Sequence, residues 1–137
     1  MSDFVTTGSV HHMTLTVTNV QRSVDFYTGV LGFQFALALG ERKLLSNGSI
    51  ILAISPPPDP SKAIAADRFN ENRVGLDHVS FNVTGRDKLE DAVRIFDAKG
   101  ISHGEIKDLG AAMGLYVLAL RDPDNIQLEL TAPYRAS

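Results

Sequence analysis

Residues 12–18 (HMTLTVT) alternate apolar Met13, Leu15 and Val17 with polar His12, Thr14, Thr16 and Thr18, the period of two that marks a half-buried strand. Asn19 follows as an N-cap for a helix carrying Val20, Val24, Tyr27 and Leu31 on one side and ending near Gly32. Beyond it the pattern predicts a strand over 33–39, a break at Gly40-Glu41, a short strand at Lys43-Leu44-Leu45, a hairpin at Asn47-Gly48 and a last strand over 50–54. Four prolines within 56–60 then form a rigid connector.

The same order returns afterwards. Residues 78–84 (HVSFNVT) place Val79, Phe81 and Val83 on one face and His78, Ser80 and Asn82 on the other. Asp87 and Glu90 suggest a capping box for a helix bearing Leu89, Val93 and Phe96 and closed by Gly100. Strands over 116–120 and 126–130 are joined by Asp122-Pro123-Asp124-Asn125, with proline at the second position as a type I turn prefers. The starts of the two halves align from 12 to 78, an offset of 66, and their last strands from 50 to 126, an offset of 76. A duplicated unit of one strand, a helix and further strands explains both offsets.

Alternation also assigns faces. If Met13, Leu15 and Val17 pack under the helix, His12, Thr14 and Thr16 point away from it, as do His78, Ser80 and Asn82. On the last strand Ile126, Leu128 and Leu130 go to the core and Gln127, Glu129 and Thr131 to the opposite side; the matching first-half residues are Ile51, Ala53 and Ser55. The non-helix face is thus expected to be polar and to display two imidazoles and a carboxylate. Two His and one carboxylate suit a divalent transition metal with coordination positions left open. The same three residues equally suit solvated strand positions, and the pattern alone leaves both readings open.

The chain of 137 residues carries 13 Lys and Arg against 16 Asp and Glu, a formal charge of −3, and no cysteine. The length suits one domain. The charge lacks the basic excess of a nucleic-acid footprint, and no uncharged apolar run approaches the ~18 residues of a membrane span. Without cysteine there is no disulfide framework, thiolate nucleophile or cysteine zinc site. Residues 1–7 contain Asp3 and lack the basic and apolar regions of a secretory signal, so the expectation is a cytoplasmic protein handling a small molecule, without nucleic-acid or membrane partners.

His12-Met-Thr-Leu-Thr-Val17, the SVDFYTGVLG string over 23–32, Gly75-Leu-Asp-His78 and the DPDNIQLE string ending at Glu129 together resemble the glyoxalase, bleomycin resistance and extradiol dioxygenase proteins, the vicinal oxygen chelate superfamily. The resemblance runs from about residue 12 to 133. It implies an α+β fold of two βαβββ modules whose curled mixed sheets surround a cleft: module 1 over about 8–58, a linker over about 59–74 and module 2 over about 75–134. It further implies a homodimer and one divalent metal, Fe, Mn, Zn or Ni, held by His12, His78 and Glu129.

A fourth family ligand position falls on Ala53, which can neither bind metal nor move a proton, so the resemblance argues against glyoxalase I itself. The His, His, Glu set is similar instead to that of ring-cleaving dioxygenases and fosfomycin-resistance enzymes. The tyrosine both carry three residues before the Asp-Pro turn is here Ala119, while Thr14 matches a catalytic threonine of the fosfomycin enzymes. The reading is a metal-dependent enzyme acting on a small oxygen-chelating substrate, dioxygenase-like on its ligand set, with Thr14, Ala53, Ser80, Asn82 and Gln127 lining the cleft. Its rivals are a thiol transferase, lyase or isomerase of the same superfamily, and a metal-free protein that sequesters a small molecule or drug.

Among the remaining residues, His11 is expected at a cap or strand edge and His103 in a loop or at a strand edge, with substrate contact as its functional alternative. The segment 107–114 suits a mobile flap or a plain surface loop. The 67–73 run suits a solvated connector from which Arg68 and Arg73 could reach an anionic substrate.

Overall fold

Two four-stranded mixed sheets, one in each half of the chain, carry the α+β fold of this computed structural model. The structure describes residues 3–135; the first two residues of the stretch read for a leader, and the last two of the chain, lie outside the described residues. The chain divides into two compact units, Met1–Ala63 and Ile64–Ser137.

In the first unit β1 (His12–Thr16), α1 (Val20–Gly29), β2 (Gln34–Leu39), β3 (Arg42–Ser46) and β4 (Ile51–Ser55) form a sheet of order β1-β4-β3-β2. β1 runs parallel to β4, and the other pairs are antiparallel. The Asn19 side chain accepts from the Arg22 N–H at 3.0 Å, so the N-cap lies where the sequence places it. The buried stripe of α1 is Ser23, Phe26 and Tyr27, rotated from the expected line through Val20, Val24 and Leu31. Both stripes share Tyr27, and edge-on ring contacts from Tyr27 to Phe26 and Phe33 draw the helix toward the aromatic side. α1 packs on β3 and β4, over Leu45, Leu52 and Ile54.

The second unit contains β5 (Val79–Asn82), α2 (Arg86–Lys99), β6 (Lys107–Asp108), α3 (Gly110–Met113), β7 (Leu115–Arg121) and β8 (Gln127–Pro133), with sheet order β5-β8-β7-β6. α2 packs on β7 and β8 through Leu89, Ala92 and Phe96. The anticipated capping box is absent. Gly85 is the N-cap and makes no side-chain cap, and Glu90 pairs with Arg86 at 3.5 Å instead. Gly100 closes the helix at φ 68° with its N–H on the Phe96 and Asp97 carbonyls. Segment 107–114 holds the edge strand β6, paired with β7, and the single turn α3.

The two registers reproduce both sequence offsets. Met13 opposes Leu52 and Thr14 opposes Ala53; Val79 opposes Leu128 and Ser80 opposes Glu129. Among the described residues no helix is long and apolar enough to cross a membrane.

Candidate functional site

The parallel pairing of β5 with β8 puts Ser80 opposite Glu129, and His78 lies one residue before β5. His78 Nε2 is 3.9 Å from Glu129 Oε2, with the imidazole about two-fifths exposed and the carboxylate about one-fifth. On the other side of the ring, Nδ1 is 2.8 Å from Asp77 Oδ1. The Gln127 side-chain amide donates to Asp77 twice, at 2.8 Å to Oδ1 and 3.1 Å to the backbone oxygen. Its own oxygen accepts from Arg121 at 3.3 Å.

Arg121 also holds Glu71 through its two terminal guanidinium nitrogens, at 2.7 and 3.1 Å. That charge-assisted pair lowers the Glu71 carboxyl to about 2 and raises the Arg121 guanidinium further. The Thr131 hydroxyl donates to Glu129 Oε1 at 3.4 Å and shares a short hydrogen bond with Ser80. Opposite Glu129 on β7 stands Ala119, while Tyr116 is out of phase with it, opposite Ala132, and donates its hydroxyl to the Arg135 carbonyl.

In the first unit His12 opens β1 with its side chain on the Thr14 and Thr16 face. Its Nδ1 lies 2.9 Å from Nδ1 of His11, and the rings meet edge-on. Thr14 is exposed and its partner Ala53 is buried. The expectation of a polar face holds for β1 but fails across the rest of this sheet. Ala53 opposes Leu44, and Leu44 opposes Leu37, so the face continues in aliphatic side chains. In the second unit the face is polar along β5 and β8, at Ser80, Asn82, Gln127, Glu129 and Thr131.

The structure therefore brings His78 and Glu129 together, and His12 belongs to the other unit. Donors on one transition-metal ion lie about 2.0–2.2 Å from it, so two of them stand at most about 4.4 Å apart. The 3.9 Å separation of His78 Nε2 and Glu129 Oε2 lies within that reach, and an imidazole with a carboxylate is a donor pair such ions accept. Among the described residues no group of three or more His, Cys, Asp or Glu is arranged to hold a metal ion.

Sequence reasoning placed Gln127 on the His78 face, where it could help hold the ring, and overlooked Asp77 as a support. Asp77 drew notice only as part of the Gly75-Leu-Asp-His78 string, and the Gln127 clamp depends on a strand register that no local pattern contains. His103 is held at both ends of its ring: Nε2 is 2.6 Å from Asp97 Oδ1, and Nδ1 is 2.7 Å from the Gly104 carbonyl.

Residues 9–130 match the family model of the Glyoxalase/Bleomycin resistance protein/Dioxygenase superfamily, and the chain belongs to that superfamily. It is 32% identical over 129 residues to the uncharacterized protein YwkD of Bacillus subtilis (strain 168), covering 89% of this chain and 94% of that one. Among solved structures it resembles a glyoxylase/bleomycin resistance protein/dioxygenase domain from Frankia sp. EAN1pec, with a TM-score of 0.74, 26% identity and 96% of each chain covered. The fosfomycin resistance protein FosX of Listeria monocytogenes shares the fold, with a TM-score of 0.73 at 16% identity over 94% of this chain and 96% of that one.

Proposed function

We propose that the chain is a metal-dependent enzyme acting on a small substrate that chelates through one or two oxygens, and that His12, His78 and Glu129 hold one divalent ion, Fe, Mn, Zn or Ni. The observation that carries this reading is the pair of donors His78 Nε2 and Glu129 Oε2, 3.9 Å apart, with the opposite ring nitrogen already engaged by a carboxylate. Such an ion, when bound, supplies Lewis-acid polarisation of substrate oxygens. The protein's part is to orient and to exclude. The Thr131 hydroxyl donates to Glu129 at 3.4 Å, and the small side chain of Ala119 stands opposite it on β7. Ala53 offers no proton acceptor, which disfavours the proton transfer of a lactoylglutathione lyase. Dioxygenase-like chemistry on an oxygen-bearing ring ranks first on the ligand set, with thiol transfer, lyase and isomerase chemistry behind it.

Dimerisation belongs to the same reading. β2 is an edge strand with Phe35, Leu37 and Leu39 exposed, an apolar edge of the kind that pairs with a second copy. The chain is read as a cytoplasmic homodimer.

Elemental analysis of protein purified without chelators or an affinity tag tests the site. About one equivalent of metal per chain, lost in Glu129→Ala, is expected for a site with few ligands, where each is needed. Iron would direct substrate trials to catechols under oxygen; manganese, zinc or nickel would direct them to isomerisation and to epoxide opening by thiols. No metal, even after incubation with Fe(II), Mn(II), Ni(II) and Zn(II), sinks the enzyme reading in favour of metal-free small-molecule binding.

A further inference from the structure

We propose that Asp77 is a positioning residue, holding the His78 ring in the tautomer that carries hydrogen on Nδ1 so that Nε2 keeps its lone pair toward Glu129. The consequence for metal binding rests on the function proposed above; the geometry does not. An ionised carboxylate can only accept, so the 2.8 Å contact from His78 Nδ1 to Asp77 Oδ1 places the hydrogen on Nδ1. A neutral imidazole then has its free lone pair at Nε2, the nitrogen that faces Glu129 Oε2.

Asp77 is held in its turn. The Gln127 amide grips both its carboxylate and its backbone oxygen. That amide is oriented by Arg121, which donates to the other end of it while paired with Glu71. A chain of side-chain contacts thus runs from the connector at Glu71, across the β7–β8 pair, to the ring of His78. The first unit carries an analogous device at the equivalent position. His11 stands to His12 as Asp77 stands to His78, and its ring nitrogen lies 2.9 Å from Nδ1 of His12. In both units the residue before the candidate ligand occupies the ring nitrogen that is not needed for ligation. Without Asp77, the part-exposed His78 ring is free to adopt the tautomer that unconstrained imidazole favours, with hydrogen on Nε2, and that hydrogen blocks the lone pair.

The test compares wild type, Asp77→Ala and Asp77→Asn in two measurements, with His78→Ala identifying the ring signals. Long-range nitrogen–proton correlation spectra of the metal-free proteins, recorded with the ring neutral, report the tautomer of His78 directly. Calorimetric titration with Co(II) reports affinity. The wild type is expected to show a single Nδ1–H form and Asp77→Ala a shift toward Nε2–H, with a loss of Co(II) affinity of about 10–100-fold. Asp77→Asn keeps an accepting oxygen, so it should retain the wild-type tautomer and lose less affinity. A wild type with hydrogen on Nε2, or an Asp77→Ala protein still wholly in the Nδ1–H form, overturns the proposal. If the tautomer shifts as expected but wild type takes up no Co(II), the positioning role stands and the metal-dependent reading falls.

Discussion

When charged, His103 carries hydrogen on both ring nitrogens, and each faces an acceptor that favours this form: the Asp97 carboxylate at one end and the Gly104 carbonyl at the other. The bond to Asp97, then the bond to Gly104, raises its pKa above the ordinary 6.5, against a smaller opposing effect of burial. The cation ties the last turn of α2 to the chain that bridges to Leu120 of β7. A raised folded-state pKa means stabilisation that is fully present below about 6.5 and lost as pH rises through the folded value. Thermal melts across that range should show His103→Gln less stable than wild type at about pH 6 and nearly equal to it at about pH 8.5. Since Asp97 is two-thirds exposed, added salt should narrow the gap. An equal gap at both pH values would mean that His103 acts through packing against Phe96 rather than through its charge. The loop or edge position of His103 was legible in the sequence. Its partner was not, because the six-residue return from Asp97 depends on how the chain leaves Gly100. That His78 and Glu129 share a face follows from strand parity, whereas their approach to 3.9 Å depends on the pairing of β5 with β8.

At the scale of elements, periodicity located strands and helices well and predicted their ends less evenly. Asn19 caps α1 because its short side chain reaches back to the Arg22 N–H, a purely local event that a local pattern can show. Asp87 and Glu90 have the right spacing for a cap, yet the chain enters α2 through Gly85. A Cβ at that position would meet Asp87 Oδ1 at 2.7 Å, so the side chain expected to join a capping box lies against the N-cap backbone. Gly100 is the clearer case. Its φ of 68° lies in the left-handed region, and no atom stands within 4 Å of the place a methyl group would occupy, so replacement costs backbone strain alone. Gly100→Ala should lower the unfolding free energy by about 1 kcal/mol, read from urea midpoints. Gly104→Ala, equally uncrowded and not at a positive φ, is the control and should change little. A fall of the same size at Gly104 would show that the left-handed φ is not the cause, since restricting the unfolded chain raises stability rather than lowering it.

Across the whole molecule the two units repeat in register and differ in chemistry. The position of Glu129 is Ala53 in the first unit, and the polar face of the second sheet is answered in the first by Leu37, Leu44 and Ala53. The chemical difference between the two halves was readable at single positions, whereas the aliphatic character of the first face emerged only from the register linking β4, β3 and β2. The same register explains why β2 is exposed. α1 packs on β3 and β4, and all six positions of β2 are left open, with Phe35, Leu37 and Leu39 at 56, 45 and 59% exposure. The bulge between Phe35 and Leu37 turns Phe35 to the helix-side face and Leu37 and Leu39 to the other, so neither face of this edge is charged against association. Light scattering behind size exclusion should give twice the chain mass for wild type and a single chain mass for the Leu37→Lys, Leu39→Lys variant. Its unfolding midpoint in dilute solution should be nearly that of the dissociated wild type, because neither side chain is buried within the chain; at high concentration the wild type alone should gain stability by mass action. A wild type that is monomeric at every concentration removes the dimer, and a double variant that keeps the dimer mass moves the interface away from β2.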